Sequence, residues 1–270
     1  MSVKAQISSY TFAQSSGTYT PLGSGGTRQT SAEGDEGGVA VTVPFTFYYN
    51  GTGYTSVAVS TNGFLQMGTA VVNGSGAAYV SSSNSNGQII STSTAGTFNT
   101  VAALNFDLTS ISTFTFTGNR SNGSNTLTSC AGANFTATKV RAGMGISGTG
   151  IPAGTYITAV NIGAATVTLS ANATSNGTGG TLTISTGLVT ATTGSSPNRV
   201  FTIQWSGRTR FTVTDDMDFQ VKLYETTNVI EVYYNTVTVG TAASAGTNDL
   251  AQVGLKGASN TDFNNRTTLS

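Results

Sequence analysis

At 270 residues, with 11 basic and 11 acidic side chains and no histidine, the chain carries no formal net charge. That balance leaves no electrostatic footprint for nucleic acid or for an anionic membrane surface. The missing histidine removes the commonest general base and metal ligand, and a lone Cys130 excludes any disulfide within the chain.

Charged residues make up only 8% of the chain, against about 25% in an ordinary soluble domain, so solubility falls to Ser, Thr, Asn and Gly. Hydrophobic residues at 37%, set in clean alternation, argue for a folded β-rich protein over a disordered one. No run of eighteen apolar residues exists to span a bilayer as a helix. The low charge also permits close association between copies, because nothing repels at long range.

In chain order, Met1 to Gln6 has neither the basic n-region nor the apolar stretch of a complete signal peptide. Val3-Lys4-Ala5-Gln6 resembles the worn end of one, and residues 1–19 as a whole read as such a remnant or as a strand exchanged with a neighbouring copy. Val39 to Ser60 alternates apolar and small polar residues on both sides of Asn50-Gly51, which predicts a β-hairpin. Thr61-Asn62-Gly63 then turns the chain into a third strand, Phe64 to Met67. Residues 69 to 100 read as a long loop with short edge strands, and Val101 to Leu108 as a core strand.

From about Phe116 to Ser196 the composition shifts to nearly pure Gly, Ser, Thr, Ala and Asn. The strand-like pieces there are Tyr156 to Val160, Ala165 to Leu169 and Thr181 to Ile184. Strands resume at Val200 to Trp205, in a second hairpin of Phe219 to Tyr224 and Val229 to Tyr234 turning at Thr226-Thr227-Asn228, and at Gln252 to Leu255. No segment carries capped helical periodicity. The expectation is an all-β fold, an antiparallel and jelly-roll-like β-sandwich of residues 20–112 and 198–270, with a small all-β subdomain inserted at 113–197.

The motifs that could carry chemistry are few. Gly143-Met144-Gly145-Ile146-Ser147-Gly148 matches G-x-G-x-x-G, yet Pro152 and a strand follow where a dinucleotide site needs a helix, so a turn is expected. Asp215, Asp216 and Asp218, and likewise Glu33, Asp35 and Glu36, gather hard oxygen ligands that could take Ca²⁺. Neither group has EF-hand spacing, and solvated turns are the plainer reading. The serines and Cys130 have no histidine to activate them and no G-x-S-x-G elbow, so no catalytic or cofactor-binding residue is assigned. Cys130 reads as a buried structural thiol, with an intermolecular bridge as the alternative. A glycosidase would need two carboxylates about 5–10 Å apart across a cleft. Tyr48, Tyr49, Tyr54, Tyr224, Tyr233 and Tyr234 sit in the two hairpins, where those facing outward could stack on sugar rings.

The succession SSGTYTPL, VSTNGFLQMG (Val59 to Gly68), VAALNFDL, RVFTIQW (Arg199 to Trp205), FQVKLYETTNVIEVYY (Phe219 to Tyr234) and QVGLKGASNTDFNNRT (Gln252 to Thr267) resembles a known domain. It is similar to the N-terminal β-sandwich of large secreted surface proteins of Bacteroidota, often exported by the type IX system and related to the nidogen-like extracellular domain. Relatives of that kind usually continue into further modules and a C-terminal sorting domain, for which residues up to Ser270 give no counterpart. The segments GISGTGIPAGTYITAVN and ATVTLSANATSNGTGGTLTI of the insert resemble small β modules of phage fibres and bacterial adhesins. The resemblance implies a secreted or cell-surface location and a role in adhesion, matrix or appendage building; with the low charge, the expectation is a non-enzymatic structural protein, either a self-assembling filament subunit or a module of an adhesin, with a carbohydrate-binding module as the alternative and a glycoside hydrolase behind it. The protein's expected partners are other copies of itself or surface glycans, without nucleic acid and without membrane insertion.

Overall fold

The computed structural model describes residues 6–32, 34–70, 98–106, 108–110, 113–137, 139–210, 215–238 and 252–266. Most of the expected 69–100 loop, Glu33 and the first five residues lie outside them.

Strand formation follows the alternation. Along GVAVTVPFTFYY, Val41, Val43, Phe45, Phe47 and Tyr49 are buried while Thr42, Pro44, Thr46 and Tyr48 face solvent, giving β2 (Gly38–Tyr49) after a short β1 (Thr27–Arg28). Asn50 and Gly51 supply the φ values of +50° and +76° that a two-residue turn demands, and β3 (Thr52–Ser60) returns antiparallel. After the Thr61-Asn62-Gly63 turn come β4 (Phe64–Met67), β5 (Thr100–Asn105) and β6 (Leu108–Ser110). Next are β7 (Phe114–Arg120), β8 (Thr126–Ala131), β9 (Gly145–Ser147), β10 (Ile157–Asn161), β11 (Thr166–Leu169) and β12 (Gly177–Ser185). The chain closes with β13 (Gly187–Thr193), β14 (Val200–Arg210), β15 (Asp216–Tyr224), β16 (Ile230–Thr238), β17 (Gln252–Lys256) and β18 (Phe263–Asn265). Among the described residues the only helical pieces are three single 3₁₀ turns, and no helix is long and apolar enough to cross a membrane.

Two antiparallel sheets form the sandwich. One runs β18-β17-β5-β4-β3-β2, the other β1-β13-β14-β15-β16 with β6 beside β14. Their inner faces share one core, in which Phe47, Val57, Leu65 and Val101 of the first sheet meet Ile203, Trp205, Phe219 and Val221 of the second. Trp205 stacks on Phe219 at 5.0 Å between ring centroids, and its Nε1–H donates across the sandwich to the Ser60 carbonyl at 2.8 Å. The Asn62 side chain, 2% exposed, accepts from Leu108 N at 2.7 Å, so the S-T-N-G-F turn is a buried joint between β3 and β6.

The third sheet, β10-β11-β8-β7-β12-β9, encloses a separate core of Phe116, Leu127, Met144, Ile146, Leu182 and Ile184 with their neighbours. Composition grouped β13 with this insert, but Gly187 to Thr193 pair residue by residue with Ser206 to Val200 of β14 in the sandwich. Hydrogen-bonding register, which composition does not encode, assigns the strand.

Residues 17–26 cross the outer face of the second sheet as a strap. Gly17 packs on Tyr233 of β16, the Thr20 carbonyl accepts from Gln220 Nε2 of β15 at 2.8 Å, Leu22 N donates to Gln204 Oε1 of β14 at 2.8 Å, and Gly26 lies on Val189 of β13. The strap also seats the insert. Gly23, with φ +61°, approaches Gly154 so closely that an added Cβ would stand 2.3 Å from its carbonyl oxygen. Ser24 N donates to the Thr155 carbonyl, Gly154 N donates to Ser24 Oγ at 3.1 Å, and Arg141 of the insert pairs with Asp216 of β15 at 2.6 Å.

Candidate functional site

The three aspartates proposed for Ca²⁺ are not brought together. Asp215 receives a two-pronged bond from Arg210, Nε to Oδ2 at 2.7 Å and Nη2 to Oδ1 at 3.1 Å, in a pair whose side chains are 6% and 0% exposed. Asp216 faces Arg141, and Asp218 accepts from Gly207 N at 2.8 Å. Alternation along β15 sends Asp216 and Asp218 to the outer face. The expected solvated turn is therefore corrected: Asp215, just before β15, and Asp216 and Asp218 on it are held by structural contacts. Burial pushes the Asp216 carboxyl up to about 6 against the pull of Arg141, and burial likewise raises Asp218. Of the second acidic group, Asp35 lends its carbonyl to Thr61 Oγ1, and Glu36 Oε2 accepts from Asn62 Nδ2 at 3.4 Å. Among the described residues no three His, Cys, Asp or Glu side chains are placed to hold a metal ion.

In the G-x-G-x-x-G segment, Gly143 forms a turn and Gly145 opens β9, where its backbone meets Gly23 of the strap. No helix follows, so these glycines admit close backbone contacts instead of a pyrophosphate. Cys130 is buried in the insert core, and burial pushes its thiol up to about 11.

The six hairpin tyrosines separate by register. Tyr49 is buried, Tyr54 packs on the core, and Tyr224 and Tyr233 both donate to Glu231 Oε2. Tyr234 is 42% exposed, but its hydroxyl is tied to the Ala103 carbonyl and its ring packs at 6.4 Å from Phe219. Tyr48, 55% exposed, lies over Gly53 of the neighbouring strand, where the lack of a side chain makes room for its ring.

Tyr48 borders an open cleft of about 500 Å³ with Phe45, Thr46, Arg199, Glu225, Thr226 and Asn228. The first three belong to β2 and the others flank β14 and the β15–β16 turn, so both sheets contribute. Arg199 grips Glu225 through Nε to Oε2 at 2.8 Å and Nη2 to Oε1 at 2.6 Å, while its guanidinium stands 5.5 Å from the Phe45 ring centroid. Arg199 holds the Glu225 carboxyl down to about 2. Tyr48 N donates to Asn228 Oδ1 at 2.8 Å, a bond that fixes the two walls relative to each other. Sequence reasoning named Tyr48 but missed Arg199, Glu225 and Asn228; the signal available was Thr226-Thr227-Asn228, the turn that delivers the second wall.

Among known proteins, the model of a family described as NIDO related matches residues 9–122 and 177–270. No curated protein and no solved structure matches the chain. The unmatched residues 123–176 begin and end beside the Arg120–Gly177 pair that joins β7 to β12, at the tip of one antiparallel hairpin.

Proposed function

The chain belongs to the NIDO-related, that is nidogen-related, family, and from that premise we propose that it is a non-enzymatic structural or adhesive module, secreted or displayed at a cell surface. The observation that carries this reading is the seat of the insert. The family-matched strands β7 and β12 are extended by β8, β9, β10 and β11 into a third sheet with its own core, and the strap, the Gly23–Gly154 contact and the Arg141–Asp216 pair hold that sheet against the sandwich. A rigid two-core body with a hydroxyl-rich surface suits display and contact. The cleft supports the non-enzymatic part, since among the described residues Glu225 is the only carboxylate in its lining and is committed to Arg199, whereas glycoside cleavage needs two.

Purified protein immobilised on beads should adhere to cell or matrix surfaces, and removal of residues 123–176 should reduce that adhesion; adhesion equal to that of an inert protein of similar size sinks the proposal.

Self-assembly is a second reading, favoured by two sheet edges. The outer edge of β2 has no strand partner among the described residues, and β1 covers only Val189 and Thr190 of β13, leaving Ala191 to Thr193. Pro44 on β2 lacks an N–H and tempers that edge. An exchanged N-terminal strand is disfavoured as the link, because Ile7 is fully buried and its N–H donates to Asp262 Oδ1 of the same chain at 2.7 Å. Electron microscopy should reveal polymers if this reading holds, and a chain that stays monomeric at high concentration removes it.

A further inference from the structure

We propose that the cleft between Tyr48 and the Arg199–Glu225 pair is a binding site for neutral oligosaccharides. The inference rests on the adhesive reading above and names the chemistry it would use. Four observations carry it.

The Tyr48 ring lies against Gly53 and is 55% exposed, so it has backing on the sheet and leaves much of its surface open for stacking on the apolar face of a sugar. Polar groups capable of meeting sugar hydroxyls surround it: the hydroxyls of Thr46 and Thr226, and the Arg199 guanidinium with its side chain 27% exposed. The volume of about 500 Å³ suits one or two sugar rings and leaves the rest of a chain in the open. Finally, the walls are pre-set. Tyr48 N to Asn228 Oδ1, Thr226 Oγ1 to the Pro197 carbonyl and the two-pronged Arg199–Glu225 bond fix the cleft before any ligand arrives, which lowers the ordering cost of binding.

Charge selects the class. With the guanidinium neutralised by Glu225 inside the site, a sulfated or carboxylated sugar would have to compete with a carboxylate already bound in the favoured fork geometry. An uncharged sugar meets no such competitor. It hydrogen-bonds to the outer edges of an ion pair that stays intact.

The test is a titration of the ¹⁵N-labelled full chain with cellohexaose, xylohexaose, mannohexaose and chitohexaose, and with a heparin hexasaccharide as the anionic arm. Shifts at Thr46, Tyr48, Arg199 and Glu225 to Asn228 are expected with at least one neutral sugar. Tyr48→Ala should weaken that binding at least about tenfold while Tyr48→Phe keeps it, and Tyr234→Ala, which alters the other exposed tyrosine among the described residues, should leave it unchanged. Amide spectra of each variant show whether the fold is intact. No shift with any neutral sugar at ~10 mM, binding of heparin alone, or equal binding by Tyr48→Ala overturns the proposal. The adhesive reading is separable: adhesion that survives Tyr48→Ala and saturating sugar removes the cleft and leaves the module, while sugar binding without adhesion does the reverse.

Discussion

Unfolding returns Asp216 from about 6 to the ordinary 3.8 of a free aspartate. The folded chain therefore binds the extra proton, and this group's contribution to stability is complete below about pH 4 and lost as pH rises through 6. Asp218, raised by burial, acts in the same direction, whereas Glu225, held down to about 2 by Arg199, contributes above its ordinary 4.5 and loses that contribution as pH falls through 2. Asp216→Asn should accordingly flatten the fall in urea midpoint between pH 4 and 6; an unchanged slope would place the titrating proton elsewhere. The neighbouring Arg210–Asp215 pair is buried, so removing one partner strands a charge. Arg210→Ala is expected to cost about 3 kcal/mol in urea unfolding, and a loss near zero would mean that the pair is solvated. That Asp215, Asp216 and Asp218 would serve different partners was not legible in the sequence, because the pattern gives the face a residue takes along a strand but not what waits there.

Among the elements, the hairpins were the most readable. Asn50-Gly51 and Thr226-Thr227-Asn228 carry the positive φ values their turns need, and the flanking alternation sets which residues enter the core. The strap was not readable, since residues 17–26 have no period and draw their order from Gln204, Gln220, Val189 and Tyr233, all far along the chain. Its glycines are where a test bites. Gly23→Ala must accept both a positive φ and a 2.3 Å contact with the Gly154 oxygen, so a loss of about 2 kcal/mol is expected. Hydrogen exchange should quicken at Ile146, whose amide donates to the Thr155 carbonyl, while emission from the sole tryptophan, Trp205, stays that of a buried indole. Unchanged exchange would show that the strap does not seat the insert.

At the scale of the molecule, the two cores are separate and no residue of the sandwich core lies within 123–176, so losing that segment, and with it β8 to β11, leaves the sandwich core complete. Because Arg120 faces Gly177 across β7 and β12, deleting residues 123–176 leaves Ser121 and Asn122 as a two-residue turn. The shortened chain should unfold cooperatively with a blue-shifted Trp205 emission, and a red-shifted, non-cooperative product would mean that the two cores form one folding unit. By itself the sequence determined the all-β class, the two main hairpins and the resemblance to a nidogen-like domain, because alternation, Asn-Gly turns and motif order are properties that survive in a string of letters. Only the tertiary structure decided that β13 belongs to the sandwich, that the acids of β15 are anchors, that a strap fastens the insert, and that Tyr48 rather than Tyr49 borders a cleft. Each of these depends on register and on contacts between residues distant in sequence, where a shift of one position turns a side chain from core to solvent.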